Sequence, residues 1–299
     1  MAVTAVALEL PPMRSPHRLL LIDKLIATYA TIVTVVALTR LDVTPGNLGI
    51  AAGHFLMIVL AFLVRRPGLG KVGEVLGDVY PLILLAPLYA ALDVLQGPGT
   101  PQVHDAIVQV WERAIFGGMP SVTLWQQYPS AFLSTLLHGA YWAYYLIVPT
   151  PVLFFAFRGD RVALRRAILI ELGTFLFCYL WFVFFPVAGP YYTFPRPTGV
   201  MMDNPAARLV YATLASGSSY GAAFPSSHVA ATTSAVIAAW LGSRRLGYVL
   251  VIPALLLAIG TVYCQMHYAI DATAGLVTGI VLPLILLRWD HGKYAEMDA

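Results

Sequence analysis

Eight long apolar runs dominate this chain and leave it few ways to fold. They are approximately Leu19–Leu38, Leu48–Val64, Val75–Leu95, Ala131–Phe157, Ala163–Val187, Ser226–Leu241, Leu246–Tyr263 and Tyr268–Leu287. A helix that crosses a bilayer needs roughly 20 predominantly apolar residues, within a range of about 17 to 25. Inside a bilayer no water is available to backbone N–H and C=O groups, so a spanning segment must satisfy them itself, as a helix does. The runs therefore predict an all-α, polytopic transmembrane helix bundle of about eight spans. Composition points the same way. Charged residues make up 11% of the chain and hydrophobic residues 59%, whereas a soluble domain carries about 25% charged residues. The fourth and fifth runs are long enough to tilt, and the sixth is short.

The loops carry charge in a pattern that orients the bundle. With the N-terminus placed inside, the inner segments hold Arg14, Arg18, Arg65, Arg66, Lys71, Arg158, Arg161, Arg165, Arg166, Arg244, Arg245, Arg288 and Lys293, and the outer ones hold Arg40, Arg113, Arg196 and Arg208. The excess alternates loop by loop, so the positive-inside rule predicts that both termini are cytoplasmic. Residues 1–18 and 289–299 read as short cytoplasmic tails around one membrane domain, 19–288. The first run reads as an uncleaved anchor, because no small-residue cleavage site follows a compact apolar core. A net charge of +3 without a basic run gives no support for a nucleic-acid partner. Cys178 lies mid-way through the fifth apolar run and Cys264 at the end of the seventh, which speaks against a disulfide.

Two outer loops are long. In the first, residues 103–116 have helical spacing, with Val103, Ile107, Val110 and Trp111 on one side. They predict a short helix lying on or dipping into the interface, ended by Gly117-Gly118-Met119-Pro120. The second opens on a stiff aromatic turn from Gly189 to Pro197. Among ionisable residues within the runs, Asp78 and Glu171 read as structural pairs, Asp23 and Lys24 as snorkelling to the inner surface, and Asp93 as close to a polar headgroup.

The chemistry concentrates between Ala223 and Gly279. His228 falls in the first turn of the sixth run, after Pro225 and a capping serine, Ser226 or Ser227. His267 lies 39 residues later, just before the eighth run. Two spans of about 27 Å use roughly 36 residues at 1.5 Å each, so the chain goes down and back and returns the second histidine beside the first. Asp271, four residues after His267, shares its helix face. A carboxylate there can hold one ring nitrogen and leave the other free to attack. The start of the sixth helix offers unpaired N–H groups to an anion. A nucleophile, an orienting acid, a second histidine for proton transfer and an anion site are the parts that phosphoryl transfer needs.

These stretches resemble the type 2 phosphatidic acid phosphatase superfamily, and especially its phosphotransferase branch, which includes inositol phosphorylceramide synthases and sphingomyelin synthases. The second family motif, usually Pro-Ser-Gly-His, is Pro225-Ser226-Ser227-His228 here. The third ends in His-x-x-x-Asp, matched by His267 and Asp271, and the His-Tyr-x-x-Asp form is that of the phosphotransferase branch. Weaker similarity to that branch lies in Phe116–Pro120 and His138–Pro149. The resemblance implies that His267 attacks phosphorus, that Asp271 orients it, and that His228 protonates the leaving alcohol and later deprotonates the acceptor. It implies no cofactor and no metal.

The sequence also departs from the family. The first motif is Lys-x6-Arg-Pro; Arg196-Pro197 fits its end, but its Lys position falls on Gly189. The third often begins Ser-Arg, where this chain has Gly260 and Thr261. Two cations that would cradle a phosphomonoester dianion are absent, which favours a phosphodiester, with one charge, held by Arg196 and by the backbone around Ser226 and Ser227. His138, Tyr144, Tyr191 and Tyr192 form a candidate headgroup or acceptor pocket. The expectation is a lipid phosphotransferase with its site on the outer face, taking a phospholipid donor and a lipid or alcohol acceptor, with no protein partner. The alternatives are a lipid phosphatase and, in another class, a lipid transporter or scramblase.

Overall fold

The structure is a computed structural model and describes residues 19–66, 69–97 and 102–290. The tail expected at 1–18 and residues 291–299 of the one expected at 289–299, with Arg14, Arg18 and Lys293, lie outside the described residues; Trp289 and Asp290 belong to the last helix. The rest is helical, and no β-strand is present among the described residues. Among the described residues, seven helical stretches are long and apolar enough to cross a membrane.

The first two, α1 (Leu21–Thr39) and α2 (Gly46–Leu63), form a hairpin. Asp23 does not snorkel, as the sequence suggested. It is fully buried and accepts from Arg65 Nε at 2.8 Å, from the Tyr80 hydroxyl at 2.6 Å and from its own helix start at Leu20 N. A buried carboxylate with a bidentate guanidinium and a phenol has no need of water. Lys24 is exposed.

The third span, Val75–Gln96, is two helices, α3 (Gly70–Ile83) and α4 (Leu85–Gln96). Pro81 has no N–H to give to the carbonyl of Gly77. Arg65 supplies that bond through Nη2 at 3.0 Å, so one guanidinium serves both Asp23 and the proline gap. Asp78 is paired as expected, with Arg161 and Arg165, each at 2.8 Å.

Two helices follow outside the spans, α5 (Asp105–Phe116) and α6 (Pro120–Gln127). The apolar side of α5, including Ile107 and Val110, is exposed, and its polar side is buried: Asp105 is 6% exposed and Glu112 0%. This inversion fits a helix whose surroundings are apolar. The fourth span is broken into α7 (Ala131–Trp142), α8 (Tyr144–Ile147) and α9 (Pro149–Arg158), the last break falling before Pro149.

The hub is α10 (Arg161–Phe184). Of its most apolar window 78% is buried, against 22–44% for the other six spans. Every residue from Ala167 to Leu176 is buried, as a helix apolar on all sides requires. Glu171 lies in this run, and no ion pair of the kind expected for it is seen among the described residues, where its Oε1 has no hydrogen-bond partner.

After α10 come a four-residue helix, α11 (Pro190–Thr193), a single 3-10 turn at Gly199–Met201, and α12 (Pro205–Gly217), which packs on α7. The last three helices are α13 (Ser227–Gly242), α14 (Arg244–Tyr263) and α15 (Ala269–Asp290). With 16 residues, about 24 Å, α13 is the run that falls short of a full crossing, so seven stretches meet the length requirement instead of eight. It is nevertheless central, packed against α10, α14 and α15. Helices α13 and α15 run side by side because Gly275 and Gly279 have no side chains: a Cβ at these positions would stand 2.5 Å from the Ser226 carbonyl oxygen and 2.6 Å from that of Ala230. Residues such as Leu48, Phe55 and Phe62 on α2, and Val249, Ile252 and Ile259 on α14, remain exposed and form the lipid-facing belt.

Candidate active site

The site lies where the N-termini of α13 and α15 meet the C-terminus of α14. Ser226 caps α13 through its side-chain oxygen, which accepts from Val229 N. Its own N–H donates to the Asp271 carbonyl at 3.0 Å, which ties the two helix starts together. The α14 end turns through Gln265, at φ 60°, a conformation that a residue with a side chain rarely adopts. The Gln265 side chain holds the turn: it accepts from Trp125 Nε1 at 2.9 Å and donates to the Pro195 carbonyl at 2.8 Å. Met266 N and His267 N both donate to the Thr261 carbonyl, and His267 is delivered against the start of α13.

The structure brings His228, His267 and Asp271 together, as the spacing predicted. The two imidazole centroids are 5.7 Å apart. His267 Nδ1 lies 3.1 Å from the Ala223 carbonyl and 3.5 Å from Asp271 Oδ2. A carbonyl only accepts, so Nδ1 carries the hydrogen and Nε2 keeps its lone pair. The sequence assigned the orienting role to Asp271; the shorter contact is to the backbone of Ala223. Asp271 Oδ2 also accepts from Tyr268 N at 2.9 Å, and Oδ1 has no protein partner. Burial pushes the His267 pKa down to about 4, against the opposing effect of its bond to Ala223, so the ring is neutral near pH 7.

A cavity of about 470 Å³ opens on both histidines. Ser227, Ser218, Ser219, Tyr191 and Tyr192 line it near the loops, and Leu85, Ala86, Val148 and Phe175 line it from within the spans. Among the described residues, seven tyrosines contribute to its wall, Tyr141 and Tyr144 among them, and no Lys, Arg, Asp or Glu does. Of the expected pocket residues, Tyr144, Tyr191 and Tyr192 reach this cavity. His138 does not: it is fully buried on α7, with Nδ1 next to Ser134, because Asn204 and Ser134 fasten α12 over it. Arg196 is exposed and also stays off the wall. It donates to the Tyr191 hydroxyl at 3.1 Å and stacks over Tyr191 and Tyr211. Asp93 is one residue removed, accepting at 2.6 Å from Ser219 Oγ.

Each of the two missing family cations has a local setting. At the lysine position Gly189 sits at φ 86°, where a Cβ would be strained and 2.9 Å from that of Ala223. At the arginine position Thr261 is fully buried, its hydroxyl donating to the Ala258 carbonyl at 2.7 Å, which leaves no room for a longer side chain without repacking.

Two acidic residues that the sequence reading passed over hold the site from α5. Glu112 accepts from Ala269 N at 3.0 Å and Ile270 N at 2.7 Å, capping α15 from another helix. Burial raises its pKa, partly offset by these two bonds. Asp105 accepts from Ala188 N, Gly189 N and the Tyr268 hydroxyl at 2.7, 2.9 and 3.0 Å. Their spacing of seven, two turns on one face of an interfacial helix, was the available signal. Among the described residues no group of three or more His, Cys, Asp or Glu is placed to hold a metal ion. Both cysteines are free and buried.

No curated protein and no solved structure matches the chain. A family model described as PAP2 superfamily matches residues 106–285, which run from α5 into α15 and include both histidines and Asp271. With more than half of its length matched, this multi-pass membrane protein belongs to the PAP2 superfamily, whose members are generally phosphatases or phosphotransferases.

Proposed function

We propose that the protein is a lipid phosphotransferase working at the outer (periplasmic, extracellular or lumenal) face of its membrane. It moves a headgroup phosphate from a glycerophospholipid to a lipid or alcohol acceptor. The observation that carries the reading is the pair of histidines, 5.7 Å apart, in one cavity that is polar near the loops and apolar within the spans. Such a cavity suits a molecule with a polar head and an acyl tail. Loop charge supports the outer face.

His267 Nε2 attacks phosphorus while the bond to the glycerol oxygen breaks, and His228 gives that oxygen its proton. Asp271 and the Ala223 carbonyl hold the His267 ring. In the second half, His228 takes the acceptor hydroxyl proton, the acceptor oxygen attacks phosphorus, and the phosphorus–nitrogen bond breaks. The free N–H groups at the α13 start, near Ser226 and Ser227, receive the phosphate oxygens. Arg196 would have to leave its stack on Tyr191 to join them. A wall without Lys or Arg favours a singly charged phosphodiester over a phosphomonoester. Tyr144, Tyr191 and Tyr192 would border the headgroup, of which inositol phosphate is the one the branch resemblance suggests.

The test uses purified protein in detergent with radiolabelled phospholipids of several headgroups, with and without ceramide or diacylglycerol. A new labelled lipid that disappears in His267→Ala supports the transferase. Release of water-soluble phosphate without a new lipid would move the reading to a phosphatase. Turnover that survives His267→Ala would remove the histidine from the chemistry.

A further inference from the structure

His228 and His267 are held differently, and the difference points to a further residue. His267 has a backbone carbonyl and a carboxylate at Nδ1. His228 has neither. Its Nδ1 is buried without a partner among the described residues, and Nε2 shares a hydrogen bond with the Tyr141 hydroxyl at 3.3 Å. The Tyr141 ring stacks on it at 4.9 Å and 25°, and Tyr144 adds a contact at 4.4 Å. Tyr141 is 6% exposed and arrives from α7, a helix that carries no part of the two histidine motifs.

We propose that Tyr141 is the positioning residue of His228, holding its ring where it gives a proton and takes one back. This rests on the phosphoryl-transfer reading of the site. When the ring is cationic both nitrogens carry hydrogen, and the phenol oxygen accepts from Nε2–H. In the first half-reaction the cationic ring gives a proton to the leaving oxygen and becomes neutral. In the second, the neutral ring takes the proton of the acceptor hydroxyl and the cation is restored. A neutral phenol suits a group that must serve as acid and then as base. A carboxylate in its place would hold the ring as the cation and slow the return of the proton.

The test compares two donors that differ in their need for a proton: a natural glycerophospholipid, and a p-nitrophenyl phosphodiester, whose leaving group departs unprotonated. Tyr141→Phe keeps the ring stack and removes only the oxygen. It is expected to lower kcat tenfold or more with the lipid, leave KM within about twofold, and lower the p-nitrophenol burst by less than about threefold. In a His228→Ala background it should add no further loss. If the variant is unstable in detergent, 3,5-difluorotyrosine at position 141, which weakens the oxygen as an acceptor without changing the ring stack, should lower kcat with the lipid in the same selective way. Equal losses with both donors, wild-type kcat with the lipid, or a full further loss in the His228→Ala background would each overturn the assignment. Absence of turnover of either donor by the wild-type protein would instead sink the reading of the site itself, and the assignment with it.

Discussion

Gly275→Ala should damage the site without touching any group that reacts. The new methyl would stand 2.5 Å from the Ser226 carbonyl oxygen, with Val229 Cβ at 3.1 Å. The obstacle is backbone, so no rotamer change relieves it. Ordinary contact begins at 3.4 Å, and reaching it requires α13 and α15 to part by about 0.9 Å at this level. Ser226 is two residues from His228, and its N–H is bonded to the Asp271 carbonyl, so the parting falls between the two halves of the site. Overpacking of this kind costs about 1–3 kcal/mol, and a misplacement of about 1 Å in a reacting constellation can cost on the order of 100-fold in rate. The assay is lipid turnover in detergent beside a thermal melt of the same preparation. Gly279→Ala makes a similar wedge against the Ala230 carbonyl, at 2.6 Å, one turn further from the histidines. It should lose similar stability and much less activity. Gly49→Ala, which meets open space, should change neither. Wild-type kcat/KM in Gly275→Ala, or a greater loss in Gly279→Ala, would refute the view that this glycine sets the spacing of the site.

Three further outcomes follow from the geometry. Glu112→Ala leaves the Ala269 and Ile270 N–H groups without their acceptor and should cost about 2–6 kcal/mol, at roughly 1–3 kcal/mol for each lost bond, read as a lower melting temperature; Glu112→Gln, which keeps one acceptor oxygen, should cost less. Because burial holds the His267 pKa at about 4 instead of 6.5, the unfolded chain binds a proton that the folded chain refuses between these values. The associated stability is complete above about pH 6.5 and is lost as pH falls toward 4, and melting at several pH values should show a smaller loss in His267→Gln. Arg65→Ala removes the partner of buried Asp23 and the donor to the Gly77 carbonyl together, and should destabilise by about 3–5 kcal/mol; a melting temperature within a degree of wild type would contradict the buried-pair account.

The sequence by itself determined the membrane bundle and the meeting of His228, His267 and Asp271. Both follow from one-dimensional properties. Run length sets whether a helix can span, and a separation of 39 residues with a turn between returns the chain to the same end. Gly275 and Gly279 stand four residues apart in the sequence, but that they admit the α13 backbone is decided by the packing alone. The tertiary structure alone decided what each polar group touches, because those bonds join residues far apart in the chain. Tyr141 and His228 are separated by 87 residues, Glu112 and Ile270 by 158, and Asp23 and Arg65 by 42. A buried carboxylate is read correctly only when its partner is known. Asp23 has an arginine and a tyrosine, Glu171 has no protein partner for one oxygen, and nothing in their apolar flanks distinguishes them. The same limit placed Arg196 and His138 near the chemistry by motif and by composition, while packing on Tyr191 and Tyr211 and under α12 keeps both off the cavity wall.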